Sequence, residues 1–418
     1  MRDYTRSTAL SQRAQQWTPF GSQTLSKASC RFPVGAYPPV LAWGEGCHVW
    51  DADGNEFIDL ICSLGATAIG YGNSHVLNAV ARQMAKGTLF SLPSPLEGQV
   101  AERFCRLLGW PTAAKFAKTG SDACSMAVRA ARAATGRDVV LVADNGYHGT
   151  HDWFTVIRPE HPGVPSRMDD YVRTFAYNDL GHLEVRLSST FADPTALVML
   201  EPTLFTPPAT GFLQGVIDLA HQCGALVCFD ETILGGRMAL GGGGEYFGVQ
   251  PDLAVFGKAL GGGWPIACVV GSMDVISQAA GYSGTFFGDA IGLAAMDATL
   301  DVYQEQPIVQ TQWEAGTAIM VTLTETIKQW HLEATVDGYP VHPRLTFAQG
   351  RYRMSLFLQE MADRGVLWHP AGVNIPGTIS TDDTIAVCAA IQQSLDVVAH
   401  GGQLRGQEIA DVQIRRTT

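Results

Sequence analysis

Charged residues are scarce in this sequence, and basic residues are scarcer than acidic ones. Charged side chains make up 16% of the 418 residues, whereas hydrophobic side chains make up 46%. This balance excludes a disordered chain and supplies enough apolar surface for a sizeable core. Lys and Arg total 28 against 40 Asp and Glu, which gives a net charge of −12, and the basic residues form no cluster. Because contacts with nucleic-acid phosphates require clustered Lys and Arg, we expect no nucleic-acid partner.

Long apolar runs are also missing. No apolar stretch approaches the ~18 residues of a membrane span. Residues 1–6 are not followed by an apolar run of the kind found in secretory signals. We therefore expect neither a membrane span nor a secretory signal.

The cysteines do not form motifs. All nine are scattered, and the closest pair, Cys223 and Cys228, lacks the spacing of a CxxC redox or zinc site. Isolated thiols in apolar surroundings are typical of a reducing compartment, so we expect a cytoplasmic protein. No group of His, Cys, Asp and Glu has convincing metal-ligand spacing, and we expect no metal. His148 and His151 come nearest, and loop polarity explains them equally well.

Two common glycine-rich nucleotide-binding motifs are absent as well. Gly257-Lys258 is followed by Ala259, and position 252 is Asp, so the P-loop pattern fails. The glycine run 241–244 continues into Glu245 and forms no GxGxxG. Its glycines favour tight turns near a cofactor.

The sequence does contain a regular alternation of helical and strand patterns. Residues 121–135 place apolar side chains at i, i+3, i+4, i+7 and i+8, which predicts an amphipathic helix. Around Asp53-Gly54-Asn55, residues 46–60 predict a hairpin. Short apolar runs typical of strands buried on both faces of a parallel sheet occupy residues 139–142, 197–200, 226–229 and 253–256.

The pattern changes near residue 310, which suggests a second domain. Helices are predicted near 312–333, 352–365 and 382–399, with a strand at 366–368. We predict an α/β protein with a large domain, built on a mostly parallel central sheet, and a small α+β domain. The boundaries are an N-terminal arm with loops at 1–45, the small domain at 46–75 and 310–418, and the large domain at 76–309.

Polar residues directly follow the predicted strands. Asp144 follows the first, Glu201 the second, Asp230-Glu231 the third and Gly257-Lys258 the fourth. In open α/β sheets, ligands bind outside the carboxyl ends of the strands. We therefore expect two acids and one lysine to converge on one crevice, the alternative being polar residues that merely end the strands.

The start of the predicted helix at 121–135 could bind an anion. Its first turn offers unpaired N–H groups, hydroxyls and the positive end of the helix dipole, and Gly120 permits close backbone approach. The alternative is a plain N-cap by Ser121.

A lysine such as Lys258, flanked by glycines, suits Schiff-base chemistry, and Asp230 could pair with a pyridinium nitrogen. Lysine, acid and phosphate cradle together are what pyridoxal phosphate (PLP) requires.

Four stretches of the chain show a resemblance to a known family. They are TGSDA at 119–123 with its following helix, GYHG at 146–149, FDET at 229–232 and FGKALGGG at 256–263. On these stretches, residues about 30–310 resemble the class III (fold type I) PLP-dependent aminotransferases, most closely the branch of glutamate-1-semialdehyde 2,1-aminomutases. Residues 241–249 and Arg237 fit that branch.

The resemblance implies a role for each residue around the cofactor ring. Lys258 would form the Schiff base and then move the proton between Cα of the substrate and C4′ of the cofactor. Asp230 would keep the pyridine nitrogen protonated. Thr232 would lie against one ring face, where the family usually has Val, and Tyr147 would stack on the other.

The resemblance also implies how the phosphate is bound. Gly120 and Ser121 would hydrogen-bond to it, and Glu201 matches an acid close to the cofactor in the family. Thr285 resembles the residue that reaches the phosphate of the partner subunit. A homodimer with its sites at the interface follows.

Departures from the family concern the substrate. Leu64 stands where the aminomutases have Trp, and residues 73–75, 367–370 and Asn374 also differ. Arg31 falls where the aminomutases place a substrate-carboxylate arginine, an ordinary surface residue being the alternative. A changed pocket wall can alter the substrate and leave the cofactor chemistry intact.

The sequence therefore predicts a PLP-dependent aminotransferase acting on a small amino or keto substrate. The alternatives within the same chemistry are glutamate-1-semialdehyde 2,1-aminomutase, which transfers the amino group within one molecule to give 5-aminolevulinate, and a PLP racemase. A third alternative is a PLP-binding protein without catalysis. The natural donor and acceptor do not follow from the sequence.

Overall fold

The computed structural model describes residues 2–158, 163–189, 193–348 and 350–410. These residues fall into two compact units, one holding residues 2–73 and 307–410 and the other residues 74–306. Residues 2–45 therefore group with the first unit. Among the helices so described, none is long and apolar enough to cross a membrane.

Strands and helices alternate along most of the chain. The strands are β1 (Leu41–Glu45), β2 (His48–Asp51), β3 (Glu56–Asp59), β4 (Ala113–Ala117), β5 (Val139–Ala143), β6 (Val172–Phe175), β7 (Thr195–Leu200), β8 (Leu226–Asp230), β9 (Leu253–Phe256), β10 (Ala267–Gly271), β11 (Ala334–Tyr339), β12 (His342–Phe347) and β13 (Val366–Leu367). The helices are α1 (Thr5–Gln15), α2 (Cys62–Gly65, a left-handed turn), α3 (Ser74–Met84), α4 (Pro95–Leu108), α5 (Gly120–Thr135), α6 (Asp152–Thr155), α7 (Leu180–Ser189), α8 (Phe212–Gln222), α9 (Gly242–Phe247), α10 (Met273–Ile276), α11 (Ala290–Glu305), α12 (Ile308–Gln329), α13 (Arg351–Asp363) and α14 (Thr381–Ala399).

A mixed sheet forms the centre of the second unit, in the order β4-β10-β9-β8-β7-β5-β6. Strands β9, β8, β7, β5 and β6 run parallel, and β10 runs antiparallel to both β4 and β9. The four apolar runs predicted as strands are β5, β7, β8 and β9, and nearly all their side chains are buried. Burial on both faces explains why these strands are apolar throughout and do not alternate. The predicted α/β fold with a mostly parallel sheet is confirmed.

Helix α5 follows β4 and matches the predicted amphipathic helix. Thr119 is its N-cap: the Thr119 side chain accepts from Asp122 N, and the Asp122 side chain accepts from Thr119 N. This capping box fixes the first turn of the helix. The alternative that Ser121 is the N-cap is wrong, because Thr119 already fills that position and Ser121 lies within the first turn.

The first unit contains a four-stranded sheet in the order β1-β2-β3-β13 and the hairpin β11-β12. The predicted hairpin at 46–60 is β2-β3, and Asp51 Oδ1 accepts hydrogen bonds from the backbone N–H groups of Asp53 and Asn55 in its turn. Helices α12, α13 and α14 pack around a core that includes the fully buried Trp368.

Helix α1 lies in the segment for which the sequence predicted loops. The side chains that α1 buries are those of Ser7 and Ser11, so its inner face is polar and small. Arg6 N and Ser7 N donate to the two carboxylate oxygens of Asp53, which hold the start of the helix. Without an apolar stripe, the helical period was not visible in the sequence.

Candidate active site

Thr232 lies where three of the predicted site segments meet. A Cβ on Gly120, at the start of α5, would lie 3.1 Å from Thr232 Cγ2, and one on Gly257, before Lys258, would lie 3.5 Å from the same atom. Thr232 also donates to Asp230 from its N–H and its hydroxyl. The structure therefore brings together the helix N-terminus, the acid at the end of β8 and the segment that holds the lysine.

Asp230 is fully buried and accepts four hydrogen bonds. Oδ1 accepts the two bonds from Thr232, while Oδ2 lies 2.8 Å from His148 Nδ1 and 3.4 Å from Cys124 Sγ. Burial alone would raise the pKa of Asp230, but the bonds from His148 and Thr232 outweigh it, and the pKa is lowered. Asp230 is therefore a buried carboxylate at neutral pH.

His148 and Cys124 are site residues that sequence reasoning missed. The explanation of His148 by loop polarity is wrong, since its side chain is fully buried against Asp230. The visible signal was its place in the GYHG stretch, directly after Tyr147. Cys124 left no signal, because on a helix of small apolar residues a thiol is indistinguishable from core packing.

The N-terminus of α5 forms a cradle with the loop at residues 146–150. Ser121 Oγ accepts a hydrogen bond from Thr150 N at 3.2 Å. Gly149 has a φ of +111°, and a Cβ there would lie 2.7 Å from Ser121 Cα, so only glycine fits this close approach. Backbone N–H groups and a hydroxyl at a helix N-terminus are suited to a phosphate.

Lys258 follows β9 through Gly257 with an unusual backbone. Its φ is +43°, in the left-handed region that side chains other than glycine rarely adopt. The side chain is half-buried. Strained residues of this kind persist where the surrounding structure holds them and are concentrated at functional sites.

Tyr147 is held by Glu201, because the strands that they follow, β5 and β7, are neighbours in the sheet. The buried Glu201 accepts a hydrogen bond from Tyr147 N at 2.9 Å. The guanidinium of Arg158 lies 4.5 Å from the centroid of the Tyr147 ring. Asp144, which also follows a strand, accepts instead from Tyr177 N. Asp144 therefore orders the neighbouring loop.

Three predicted residues lie apart from this group in the chain. Thr285 is exposed, in the loop between α10 and α11. Arg31 is half-buried and belongs to the first unit. Leu64, also in the first unit, lies in the left-handed turn α2 with a φ of +59°. The roles of these residues stay predictions.

The sequence assigned no separate role to Glu231, the neighbour of Asp230, yet its side chain organises the glycine run at residues 241–244. Its carboxylate oxygens accept from Gly243 N and Gly244 N at 2.7 Å. Burial raises the pKa of Glu231 to about 8, against the opposing effect of these two bonds. The glycines allow the backbone to wrap around the carboxylate, since a Cβ on Gly242 would meet the Glu231 side chain.

Known proteins share this sequence and this architecture. A family model for class III aminotransferases matches residues 34–395. The glutamate-1-semialdehyde 2,1-aminomutase of Gemmatimonas aurantiaca is 36% identical over 309 residues, which span 67% of this chain and 70% of the relative. The 3-aminobutyryl-CoA aminotransferase of Cloacimonas acidaminovorans is 33% identical over 352 residues, spanning 82% and 83%.

Solved structures agree with this result. The PLP internal aldimine form of the FumI protein of Sphingopyxis sp. MTA144 superposes with a TM-score of 0.89 at 27% identity, covering 95% of this chain and 97% of that one. An omega-transaminase of Sphaerobacter thermophilus has a TM-score of 0.85 at 25% identity, covering 94% and 97%. This chain belongs to the class III aminotransferases, which are fold type I enzymes that use pyridoxal phosphate.

Proposed function

We propose that the chain is a transaminase in which Lys258 forms the Schiff base with pyridoxal phosphate. It would transfer an amino group between small amino and keto compounds. The observation that supports this most is the meeting at Thr232 of a helix N-terminus, a buried carboxylate and the lysine segment. These are the three functions that the cofactor needs from the protein: phosphate binding, ring protonation and covalent attachment.

The residues present fit the cofactor. Asp230 has a lowered pKa and so remains an anion, which can hold a proton on a pyridine nitrogen by charge and hydrogen bonding. Gly120, Ser121 and the Gly149 loop offer an N–H-lined cradle that a Cβ at 149 would fill. Tyr147 offers an aromatic face, and its backbone is fixed by Glu201.

Bound through a lysine, pyridoxal phosphate supplies an electron sink for the bond that breaks at the substrate Cα. Lys258 Nζ would hold the cofactor, and, once released by the incoming amine, would move a proton between Cα and C4′. Tyr147 and Thr232 would orient the ring between them. Asp230 would keep the ring nitrogen protonated throughout.

The substrate pocket is proposed from one departure from the aminomutases, Leu64, and one match to them, Arg31. Leu64 would form an apolar wall, and Arg31 would bind a substrate carboxylate. The relatives named above act on different amines, since one is named an aminomutase and the other a 3-aminobutyryl-CoA aminotransferase. Intramolecular transfer to give 5-aminolevulinate is therefore the second candidate.

We also propose a homodimer in which Thr285 reaches the phosphate of the partner. Phe286, the next residue in the chain, is a large apolar side chain that is 62% exposed, and Leu92 is 79% exposed. A hydrogen bond from Ala290 N to Thr88 O joins the two segments that hold them. Large apolar side chains that are exposed on linked segments favour an interface between subunits.

A cytoplasmic location is proposed from the thiols. All nine cysteines are free, and five of them are buried. Free thiols in the core are typical of proteins kept in a reducing compartment.

Borohydride reduction of the holoenzyme followed by peptide mapping tests the attachment. The pyridoxyl tag is expected on Lys258 and on no other lysine, and Lys258→Ala is expected to lose the tag and the response of the visible spectrum to amines. Lys118→Ala is the matched control and is expected to keep both. A tag on another residue, or no tag, contradicts the proposal.

Substrate assays then separate the two reactions. Glutamate-1-semialdehyde supplied alone gives 5-aminolevulinate only if the enzyme is an aminomutase. A panel of amine donors and keto acceptors gives product if it is a transaminase, and the chirality of recovered amino acid reveals racemisation. A cofactor spectrum that no amine alters would indicate binding without catalysis.

A further inference from the structure

The carboxylate of Asp230 already accepts as many hydrogen bonds as its lone pairs allow. A carboxylate offers about four acceptor sites on its two oxygens. In this chain Thr232 N, Thr232 Oγ1, His148 Nδ1 and Cys124 Sγ all donate to them. A ring-nitrogen proton would be a fifth donor, so one of the four has to give way.

The four donors differ in how easily they are displaced. Thr232 N belongs to the backbone directly after β8 and cannot move alone, and the Thr232 hydroxyl is bonded to the same oxygen. The fully buried His148 ring is 2.8 Å from Oδ2, and this bond contributes most to lowering the pKa of Asp230. Cys124 Sγ lies farther away, at 3.4 Å, and a thiol is a weak donor.

The hydrogen bond from the thiol to Asp230 can also be broken at little cost in free energy. Rotation about the Cβ–Sγ bond is enough to turn the thiol proton away from Oδ2. Once released, a thiol behaves as a small apolar group, and Cys124 is surrounded by the buried apolar side chains of α5 and the central sheet. A hydroxyl or amide released at the same place would be a buried polar group without a partner, which is costly.

We propose that the Cys124 thiol holds the Asp230 carboxylate until the ring nitrogen of pyridoxal phosphate displaces it. This inference rests on the proposed role of Asp230. Cys124 is then a positioning residue that orients Oδ2 and gives its acceptor site to the cofactor. His148 and Thr232 keep their bonds to Asp230 in both situations.

Infrared difference spectroscopy between the holoenzyme and the cofactor-depleted enzyme tests the exchange. The S–H stretching band of Cys124 is expected to shift to higher frequency when the cofactor binds, because the thiol loses its hydrogen bond. The shift is expected to disappear in Cys124→Ala and to persist in Cys268→Ala, which removes an equally buried thiol from β10. An unchanged band, or a shift to lower frequency, overturns the proposal.

Cofactor affinity gives a second readout. Because the thiol bond is broken on binding, Cys124→Ala is expected to bind PLP as tightly as wild type or up to about threefold more tightly. A Kd raised tenfold would show that the thiol bond persists beside the cofactor, which contradicts the exchange.

Asp230→Ala distinguishes a failure of the proposed role of Asp230 from a failure of the thiol exchange. If Asp230→Ala leaves the Kd unchanged, the proposed role of Asp230 fails; if it raises the Kd and the Cys124 results are contrary, only the exchange fails.

Discussion

Asp230 and Glu231 are adjacent, both fully buried, and their pKa values move in opposite directions. Burial raises the pKa of each, but Asp230 has a histidine and a hydroxyl as partners, and its pKa ends below the ordinary value. Glu231 is buried, has the backbone N–H groups of Gly243 and Gly244 as partners and lies near the charges of Asp230 and Glu201, so its pKa rises to about 8. Environments that shift the pKa values of two neighbouring carboxyl groups in opposite directions suit the two groups to different tasks. Asp230 is suited to a permanent charge, and Glu231 to a structural role.

Replacement of Glu231 by Gln will remove a pH dependence of stability. The pKa of Glu231 is raised from 4.5 to about 8 in the fold. Its contribution to stability is therefore complete below about pH 4.5 and is lost as the pH rises through about 8. Between pH 6 and 8, the free energy of unfolding of wild type will fall by about 2–3 kcal/mol relative to that of Glu231→Gln. Urea unfolding of both proteins across this range measures the difference.

Glu245→Gln serves as the control for Glu231. The Glu245 side chain also accepts from the glycine run, through Gly241 N, but the residue is exposed. This variant is expected to follow the wild-type pH dependence. If wild type and Glu231→Gln lose stability in parallel, the raised pKa of Glu231 is contradicted.

At the scale of residues, the sequence indicated which side chains follow the strands but not which residues these side chains contact. Asp230 and Lys258 are visible because each follows an apolar run. The contacts of Asp230 with Cys124 and His148 span 106 and 82 residues. Contacts at such separations depend on how β8, α5 and the loop after β5 pack, and no local pattern encodes that packing.

Among the elements, the N-terminus of α5 and the loop at 146–150 act together. The capping box of Thr119 and Asp122 fixes the first turn of the helix, and Ser121 Oγ ties the loop to it through Thr150 N. The close approach depends on Gly149, whose φ is +111°. The cradle is therefore a property of two elements, and a change in either one will alter it.

Gly149→Ala will weaken the binding of pyridoxal phosphate at least about tenfold. The added Cβ would lie 2.7 Å from Ser121 Cα, so the loop has to move away from the helix N-terminus. A lost charge-assisted hydrogen bond to the phosphate accounts for a change of this size. Fluorescence titration of the cofactor-depleted enzyme with PLP measures the Kd.

Gly136→Ala is the matched control for the same helix. Gly136 is the C-cap of α5 and has a φ of +67°, but a Cβ there meets nothing within 4 Å. Both variants introduce backbone strain, and only Gly149→Ala forces the loop away from the helix N-terminus. Equal Kd values for wild type and Gly149→Ala would contradict the assignment of this cradle to the phosphate.

The sequence predicted the elements that have a continuous apolar run or an apolar stripe and missed those that have neither. Strands β5, β7, β8 and β9 are visible because both faces are apolar, and α5 because of its stripe. Helix α1 was missed because it buries Ser7 and Ser11. The position of β10 between β4 and β9, antiparallel to both, cannot be read from sequence, because its partners are set by the path of the chain between strands.

At the scale of the whole molecule, cofactor binding is expected to stabilise one of the two units more than the other. Apart from the contact proposed from a partner subunit, the residues proposed to bind pyridoxal phosphate all lie within residues 74–306. A ligand that binds only the folded state stabilises it by about 2.7 kcal/mol at a free concentration of about 100 times its Kd. Removal of the cofactor should therefore reduce stability first in the second unit.

Hydrogen exchange of the holoenzyme and the cofactor-depleted enzyme will show where this stabilisation lies. Amide protection is expected to fall after depletion at residues 120–124, 146–150 and 230–232, because local opening there no longer has to release the cofactor. Residues 334–347, in the hairpin β11-β12 of the first unit, are expected to exchange equally in both forms. In Lys258→Ala, saturating PLP is expected to restore part of the protection, since phosphate and ring contacts remain without the covalent bond. Protection lost chiefly in residues 2–73 or 307–410 would place the cofactor outside the site built around Asp230.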